Sequence, residues 1–177
     1  MACEAMTRDE VLDRLRRKRA EFDARVAAIP AKALDAVPVG FRHSPKDVVA
    51  HVTAYERLMV QRLRAAARGE RTSFERDRDS WEAFNTRVWG EAAGLESEEV
   101  LGESERVFGD LVAEVSGLTD DELNSTVGIT ASIDPAWLDG HALWELIGVD
   151  GFDHYPMHFA LLEAAARDAR ERPGTFS

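Results

Sequence analysis

Apolar residues recur every three or four positions in several long stretches of this chain, the pattern of helices that bury one face. The first stretch opens at Thr7, with Glu10 three residues later as in a capping box, and it ends before Pro30. The second opens with Ser44, Pro45 and Asp47, a cap residue, a first-turn proline and an acidic third position, and it runs to Gly69. The predicted inner faces are Val11, Leu15, Phe22, Val26 and Ile29 in the first helix and Val48, Val52, Tyr55, Met59 and Leu63 in the second.

Two further helices are predicted in the middle of the chain. Residues 69–80 are charged and are predicted to be a loop, after which a short helix begins at Trp81. Ser97 is expected to cap a third long helix that ends near Gly117, and residues 119–123 indicate one more capped turn. The third long helix has an apolar stripe formed by Val100, Ser104, Val107, Leu111 and Val115.

The last predicted helix begins near His141 and ends before Pro173. Pro156 lies inside it and removes one backbone hydrogen bond, so the helix should kink there, helped by Gly148 and Gly151. The stretch before it, residues 124–140, is predicted to be a loop in which residues 127–133 could be a short extended piece.

These elements predict an all-α fold, a four-helix bundle of the up-down-down-up type with short additional helices and loops. The 177 residues suit one domain, 1–177, since a chain of this size buries about 70% of its unfolded surface. Residues 1–6 precede the first cap and are expected to be disordered.

Charge and composition narrow the range of partners. The 33 acidic residues against 22 lysines and arginines give a formal net charge of −11, which repels phosphate backbones and anionic lipid headgroups. We therefore expect neither nucleic acid nor membrane as a partner. The basic run from Arg14 to Arg19 is flanked by acidic residues, so a solvated helix face is favoured over a binding patch.

The same composition indicates where the protein works. No apolar run approaches the roughly 20 residues of a membrane span. The N-terminal residues lack the basic and apolar regions of a secretory signal, and Cys3 is the single cysteine. We expect a cytoplasmic protein with a small-molecule substrate and no internal disulfide, and a homodimer through helix faces is possible.

Three histidines carry the main chemical signal. His154 and His158 are four residues apart, which places both rings on one helix face, and His51 lies beside Val48 and Val52 on the inner face of the second helix. Three neutral imidazoles with one open position are typical of a catalytic metal site that activates water or a thiol. The alternative is half-buried histidines that hydrogen-bond to their neighbours.

Other polar residues could complete such a site. Asp150 is one turn before His154 and Tyr55 one turn after His51, so either could serve as a partner or proton shuttle. Asn85, with Trp81 on the same helix face, could orient a substrate. The candidate catalytic residues are therefore Tyr55, Asn85 and Asp150, with a solvated carboxylate and core aromatic residues as the alternatives. His43 and His141 are expected to have no direct role.

Several short segments resemble a known family. Residues 50–52 (AHV) with Tyr55 and Glu56, then 81–85 (WEAFN), 143–147 (LWELI) and 153–158 (DHYPMH), are similar to the DinB-like four-helix bundles, most of all to the ClbS and DfsB branch. The resemblance implies that His51, His154 and His158 bind a divalent metal ion, with zinc and nickel the foremost expectations. It also implies self-protection against reactive natural products, or transfer reactions that use a low-molecular-weight thiol.

Three functions follow from the residues and the resemblance together. The leading hypothesis is a metal-dependent, hydrolase-like enzyme that acts on a small electrophilic compound, in self-protection or detoxification. The second is a metal-dependent transferase that uses a low-molecular-weight thiol. The third is a non-enzymatic bundle that binds a small molecule with Trp81, Trp89 and Trp144.

Overall fold

A computed structural model of the protein describes residues 5–76, 80–130 and 140–172. Within these ranges all regular structure is helical. The 3-10 helices Ala31–Ala33 and Tyr155–His158 accompany the α-helices. We number the α-helices α1 (Arg8–Ala27), α2 (Pro45–Ala66), α3 (Ser73–Arg76), α4 (Trp81–Ala92), α5 (Ser97–Ser116), α6 (Asp120–Asn124), α7 (Leu143–Asp150) and α8 (Phe159–Glu171).

The predicted helix starts of α1 and α2 are confirmed by their capping boxes. The Thr7 hydroxyl accepts a hydrogen bond from the backbone N–H of Glu10, whose carboxylate accepts one from the N–H of Thr7. Ser44 and Asp47 repeat the arrangement at α2, where Pro45 is the first helical residue. Both boxes satisfy backbone donors that the first helical turn leaves without partners.

The middle of the chain differs from the prediction at two points. Residues 69–80 are not entirely loop, because Ser73–Arg76 forms α3, whose Phe74 is buried and packs against Trp81 and Phe84. The residue before α5 is Glu96, with its N–H bonded to Glu99, whereas the Ser97 hydroxyl donates to Asp35. The predicted stripe of α5 is confirmed, since all five of its residues are buried.

The prediction of a single kinked helix at the end of the chain is wrong. The structure has three elements there: α7, the 3-10 helix Tyr155–His158 and α8. Pro156 cannot donate a backbone hydrogen bond. The Phe152 ring also folds back over Gly148, where an added Cβ would lie 2.6 Å from a ring carbon, so only glycine fits there. The break places His154 and His158 at the two ends of the 3-10 helix.

The core lies between α1, α2, α5 and α8, which form the bundle, and α2 is its central helix because it contacts α4, α5, α7 and α8. Helix α4 packs on α2 through a second apolar cluster that contains Leu58 and Phe84. The predicted all-α bundle with short additional helices is confirmed. Side chains in the main core with almost no exposure include Leu15, Phe22, Met59, Leu111, Phe152 and Tyr155.

Two predicted segments, residues 1–6 and 127–133, lie partly outside the described residues. Residues 1–4 lie outside them, while Met6 exchanges two backbone hydrogen bonds with the Asn124 side chain. Residues 131–139, which include Trp137 and part of the possible extended piece, also lie outside. No helix in the described ranges is long and apolar enough to cross a membrane.

Candidate metal centre

The structure brings His51, His154 and His158 together. The Nε2 atom of His154 lies 3.2 Å from Nε2 of His51 and 3.1 Å from Nε2 of His158. One ligand atom from each of the three residues lies within 4.8 Å of the others. His51 and His154 are buried and His158 is half-buried, so the cluster is shielded from bulk water on most sides.

This geometry fits a metal ion better than mutual hydrogen bonding. A nitrogen of a neutral imidazole has either one N–H or one lone pair, so His154 Nε2 can donate to His51 or to His158 but not to both. Three lone pairs directed at one cation have no such conflict. Two nitrogens at about 2.0–2.1 Å from one tetrahedral ion lie about 3.3–3.4 Å apart, close to the two observed separations.

The other ring nitrogens lack the hydrogen bonds that usually orient metal-binding histidines. The buried Nδ1 atoms of His51 and His154 have no partner within the described residues. A ligating histidine usually donates this N–H to a carboxylate or carbonyl, which fixes the ring. Here aromatic packing has to fix the ring orientation instead.

Aromatic side chains surround the cluster on the α2 and α4 sides. Trp89 stacks on His51 with ring centroids 4.3 Å apart and an interplanar angle of 9°. Tyr55 packs edge-on against His154 at 4.5 Å, and Trp81 stacks on Tyr55 at 5.4 Å. These contacts leave the His51 and His154 rings little freedom to rotate.

Burial keeps the three imidazoles neutral. Desolvation, helped by the charges of neighbouring histidines, lowers the pKa of His51 to about 3 and the pKa of His154 to about 3. The same causes lower the pKa of His158 to about 4. Neutral imidazole is the form that ligates a metal, so the rings are ready to bind at neutral pH.

Tyr55 and Asn85, two of the candidate catalytic residues, are in contact. The Tyr55 hydroxyl donates a 3.0 Å hydrogen bond to Oδ1 of Asn85. Desolvation raises the pKa of Tyr55, and the negative charge of Asp150 adds to this shift. The Tyr55 hydroxyl therefore keeps its proton at neutral pH, beside the His154 ring.

Asp150, the third candidate, makes an ion pair below the cluster. Its Oδ2 atom lies 2.6 Å from Nη1 of Arg62, and both side chains are almost fully buried. No hydrogen bond joins Asp150 to Nδ1 of His51 or His154, since both atoms are without partners in the described part of the chain. The charge of Asp150 acts on Tyr55, whose pKa it helps to raise.

A second buried polar network lies beside the histidine cluster. Arg19 donates to both carboxylate oxygens of Glu56, to the Ser104 hydroxyl and to Asp23, and the Tyr155 hydroxyl donates to Glu56 at 2.6 Å. Desolvation raises the pKa of Glu56, whereas the charge of Arg19 and the hydrogen bonds oppose this shift. The basic run of α1 is thus not wholly a solvated face, because Arg19 is 5% exposed.

His43, His141 and Trp144 differ in their contacts with the histidine cluster. His43 stacks on Trp89 with centroids 3.8 Å apart, and its charge contributes to lowering the pKa values of His51 and His158. His141 is exposed and faces Glu145. Trp144 lines a surface cavity with Met6 and Arg14, separate from the tryptophans beside the histidine cluster.

Sequence reasoning missed Arg62, Arg19 and Glu56, although each carries a detectable signal. Arg62 continues the spacing of His51 and Tyr55 along one face of α2. Arg19 and Glu56 occupy positions within apolar stripes, four residues after Leu15 and four after Val52 respectively. A charged residue at such a position is buried with its helix face and needs a partner.

The chain is related to known proteins in sequence and in fold. The sequence matches the DinB superfamily over residues 14–147, and the chain belongs to that superfamily. The resemblance seen in the short motifs is confirmed at this level. No curated protein matches the sequence.

Solved structures share the fold over nearly the whole chain. An uncharacterised protein of Escherichia coli UTI89 is 18% identical, with a TM-score of 0.74, 93% of this chain covered and 95% of that one. One from Clostridium difficile 630 is 13% identical, with a TM-score of 0.76 and coverages of 91% and 96%. The colibactin self-resistance protein ClbS, in complex with double-stranded DNA, is 14% identical, with a TM-score of 0.73 and coverages of 92% and 96%.

The expectation that nucleic acid is not a partner is wrong. A protein with the same fold, ClbS, is seen in complex with double-stranded DNA. The expectation rested on the net charge of the whole chain, −11. Net charge sets long-range attraction, whereas a contact is decided by local charge and shape, so the overall charge does not exclude this partner.

Proposed function

We propose that this protein is a metal-dependent, hydrolase-like enzyme that acts on a small electrophilic compound in self-protection or detoxification. The observation that carries the proposal is the convergence of Nε2 of His51, His154 and His158 at 3.1–3.2 Å. Membership of the DinB superfamily and the fold shared with ClbS, a self-resistance protein, support a role that involves a small molecule.

The three histidines would hold a divalent ion, zinc or nickel, and three protein ligands would leave a coordination position for water or substrate. When bound, such an ion polarises the substrate and makes a coordinated water acidic. In the hydrolysis, the water oxygen would bond to the electrophilic carbon as the bond to the leaving atom breaks. The leaving atom would take up one proton and the attacking water would release one, so the products together contain one added water.

Tyr55 would supply the leaving-group proton. Its hydroxyl stays protonated because burial and the charge of Asp150 raise its pKa. Asn85 holds the hydroxyl through their 3.0 Å hydrogen bond. Arg62 holds Asp150 in place through their 2.6 Å ion pair. Tyr55 and Asn85 would therefore contact the substrate, while Asp150 would act through Tyr55.

Elemental analysis of protein purified without a metal-binding tag tests the metal directly. We expect about one zinc or nickel ion per chain, and activity that is lost with chelation and restored by that ion. A panel of activated esters and epoxides, followed by mass spectrometry, would then reveal products that have gained one water. A metal-free protein that takes up neither ion would sink the proposal.

A thiol transferase is the second candidate, because an ion held by the same three histidines could activate a small thiol as well as water. Adding glutathione or cysteine to the panel separates the two. Turnover that requires the thiol, with the thiol carbon skeleton in the product, would replace the hydrolase by a transferase.

A binding protein without catalysis is the third candidate. Trp81 and Trp89 lie beside the histidines and would hold an apolar ligand, whereas Trp144 belongs to another surface. Ligand recovered unchanged after long incubation with the metal-loaded protein would favour this function over both enzymes.

Double-stranded DNA is a further candidate partner, because ClbS is seen in complex with it. Exposed Arg16 and Arg17 lie on one side of α1 and would meet phosphates. Titration of a labelled duplex at several salt concentrations tests this partner, since phosphate contacts give affinities that fall steeply with salt. Binding that Arg16→Glu and Arg17→Glu weaken supports the contact, and absence of binding at low salt excludes it.

A further inference from the structure

A second cavity, of about 430 Å³, lies between α1, α2 and α5. The residues that line it do not include the three histidines, so it is distinct from the candidate metal centre. Cavities of about 300–1,000 Å³ with apolar walls and a few polar groups are typical of small-molecule sites. Its apolar wall is formed chiefly by Phe22, Ile29, Leu34, Val49 and Phe108.

Ser104 gives this cavity a buried hydrogen-bond donor. Its side chain is 2% exposed, and its oxygen accepts a 2.9 Å hydrogen bond from Nη2 of Arg19. Within the described residues the Ser104 hydroxyl donates no hydrogen bond of its own, not even to the backbone carbonyl of Val100 one turn earlier. A buried hydroxyl proton without an acceptor is costly, so a ligand oxygen at this point would be stabilised.

The charges around the cavity disfavour an anion. Among the described residues that line the cavity, Arg19 is the one cation, and Glu56 and Asp23 already bind its guanidinium. Glu105 adds a further carboxylate at the rim. The local balance is negative, which would repel a carboxylate, sulfonate or phosphate group brought to Ser104.

We propose that this cavity binds an uncharged, mainly apolar small molecule whose carbonyl or ether oxygen accepts a hydrogen bond from Ser104. The site is independent of the proposed metal centre, because the two lie on different faces of α2. Val49 and Glu56 face the cavity side, whereas His51 and Tyr55 face the aromatic residues of α4.

Three fluorescent probes of different chemistry test the ligand class. Nile red is uncharged and carries a carbonyl, pyrene is apolar without an acceptor, and anilinonaphthalene sulfonate is an anion. We expect saturable binding of Nile red with a Kd at least about tenfold lower than that of the anion. Ser104→Ala should weaken Nile red about three- to tenfold and leave pyrene unchanged, because only Nile red uses the hydroxyl.

Blocking variants locate the binding. Ala27 lines the cavity and Ala28, the next residue, does not, and both are exposed. Ala27→Trp should abolish Nile red binding, whereas Ala28→Trp should bind as the wild type does. Ala31→Trp, in the 3-10 helix that also lines the cavity, serves as a second blocking variant if Ala27→Trp does not fold by circular dichroism.

Several results would overturn the proposal. Equal Nile red binding by Ala27→Trp, Ala31→Trp and Ala28→Trp would place the probe elsewhere. Loss of binding in His51→Ala would assign the probe to the metal centre, so failure of the two proposals can be told apart. Conversion of a dimer to a monomer by Ala27→Trp, measured by light scattering, would show that a second copy of the chain covers the cavity.

Discussion

Helix α2 carries a buried polar cluster on each of two faces, and the two clusters differ in how far they are satisfied. On one face, both oxygens of Glu56 are bonded to Arg19 and Tyr155. On the other face, the Nδ1 atoms of His51 and His154 have no partner within the described residues, and their Nε2 atoms crowd together.

The comparison separates two reasons for burying polar groups. A network whose charged members pair with one another, as Glu56 does with Arg19, stabilises the packing of helices without a metal ion. In the histidine cluster the Nε2 atoms point at one another and compete for hydrogen bonds, a conflict that a cation bound between them would remove. The clusters are joined in sequence, since Tyr155 belongs to one and His154 to the other, so the turn between α7 and α8 positions both.

Glu56→Ala should give the largest loss of stability. It leaves the buried Arg19 guanidinium without its main counter-ion and the Tyr155 hydroxyl without an acceptor. Breaking a buried ion pair from one side costs about 3–5 kcal/mol, and urea unfolding measures it. Glu105→Ala, an exposed glutamate on α5, is the control and should stay within about 0.5 kcal/mol of wild type. A cost for Glu56→Ala below about 1 kcal/mol would contradict a structural role for the network.

His51→Ala should do the reverse, with a large effect on metal binding and a small one on folding. Loss of one of three ligands should weaken zinc or nickel binding by more than about 100-fold, over 2.8 kcal/mol, measured by isothermal titration calorimetry. His154→Ala and His158→Ala should behave alike, and His43→Ala should retain the metal. If His51 is only a hydrogen-bonded interior side chain, the variant loses about 1–3 kcal/mol of stability and no metal affinity.

The sequence predicts the parts of this molecule that depend on local pattern. The capping boxes at Thr7 and Ser44 and the five-residue stripe of α5 follow from residues close together in the chain. The meeting of His51 with His154 and His158 could also be predicted, because inward faces of one bundle must converge.

The parts that escaped prediction depend on contacts between distant residues. The break after α7 follows from the Phe152 ring lying over Gly148, which helical periodicity does not reveal. In the sequence, Arg19 and Glu56 resemble two ordinary surface charges. Only the arrangement of α1 and α2 in the bundle shows that the two side chains form a buried ion pair. The Asp150–Arg62 pair was missed for the same reason, since its partners are 88 residues apart.

The metal-free protein should lose stability as the pH falls. Burial lowers the pKa values of His51 and His154 to about 3 and of His158 to about 4, against about 6.5 in the unfolded chain. At pH values between the folded and unfolded pKa values, the unfolded chain binds more protons than the folded one. Lowering the pH through this range therefore favours unfolding. Each histidine contributes a slope of up to about 1.4 kcal/mol per pH unit below pH 6.5, measured by urea unfolding at a series of pH values.

The same shifts set the pH at which metal is released. With ordinary pKa values near 6.5, protons would displace the metal between about pH 6 and pH 4. The lowered values of about 3 to 4 move that release towards the acid end of the range or below it.

Variants of single histidines test the pH dependence of stability. In the metal-free protein, the free energy of unfolding of His158→Gln should fall less steeply with decreasing pH than that of wild type. His141→Gln, whose ring is exposed, should show the wild-type slope. Identical slopes in all three proteins would contradict burial of the triad.

Tyr55→Phe should have the smallest effect on stability and the most informative one on activity. The change removes the hydroxyl that donates to Asn85 while keeping the ring that packs on His154 and Trp81. One such half-buried hydrogen bond contributes about 0.5–1.5 kcal/mol, so unfolding measurements should detect a modest loss and metal titration none. Because the ring remains, a fall in turnover larger than the modest loss of stability can explain would come from the missing proton.

The double variant Tyr55→Phe with Asn85→Ala then separates positioning from proton donation. If Asn85 acts only by holding the Tyr55 hydroxyl, the double variant should be no slower than Tyr55→Phe alone. If the two effects on turnover multiply instead, Asn85 contacts the substrate independently of Tyr55. Turnover of Tyr55→Phe equal to that of wild type would remove this hydroxyl from the reaction and leave the three histidines as the whole of the proposed chemistry.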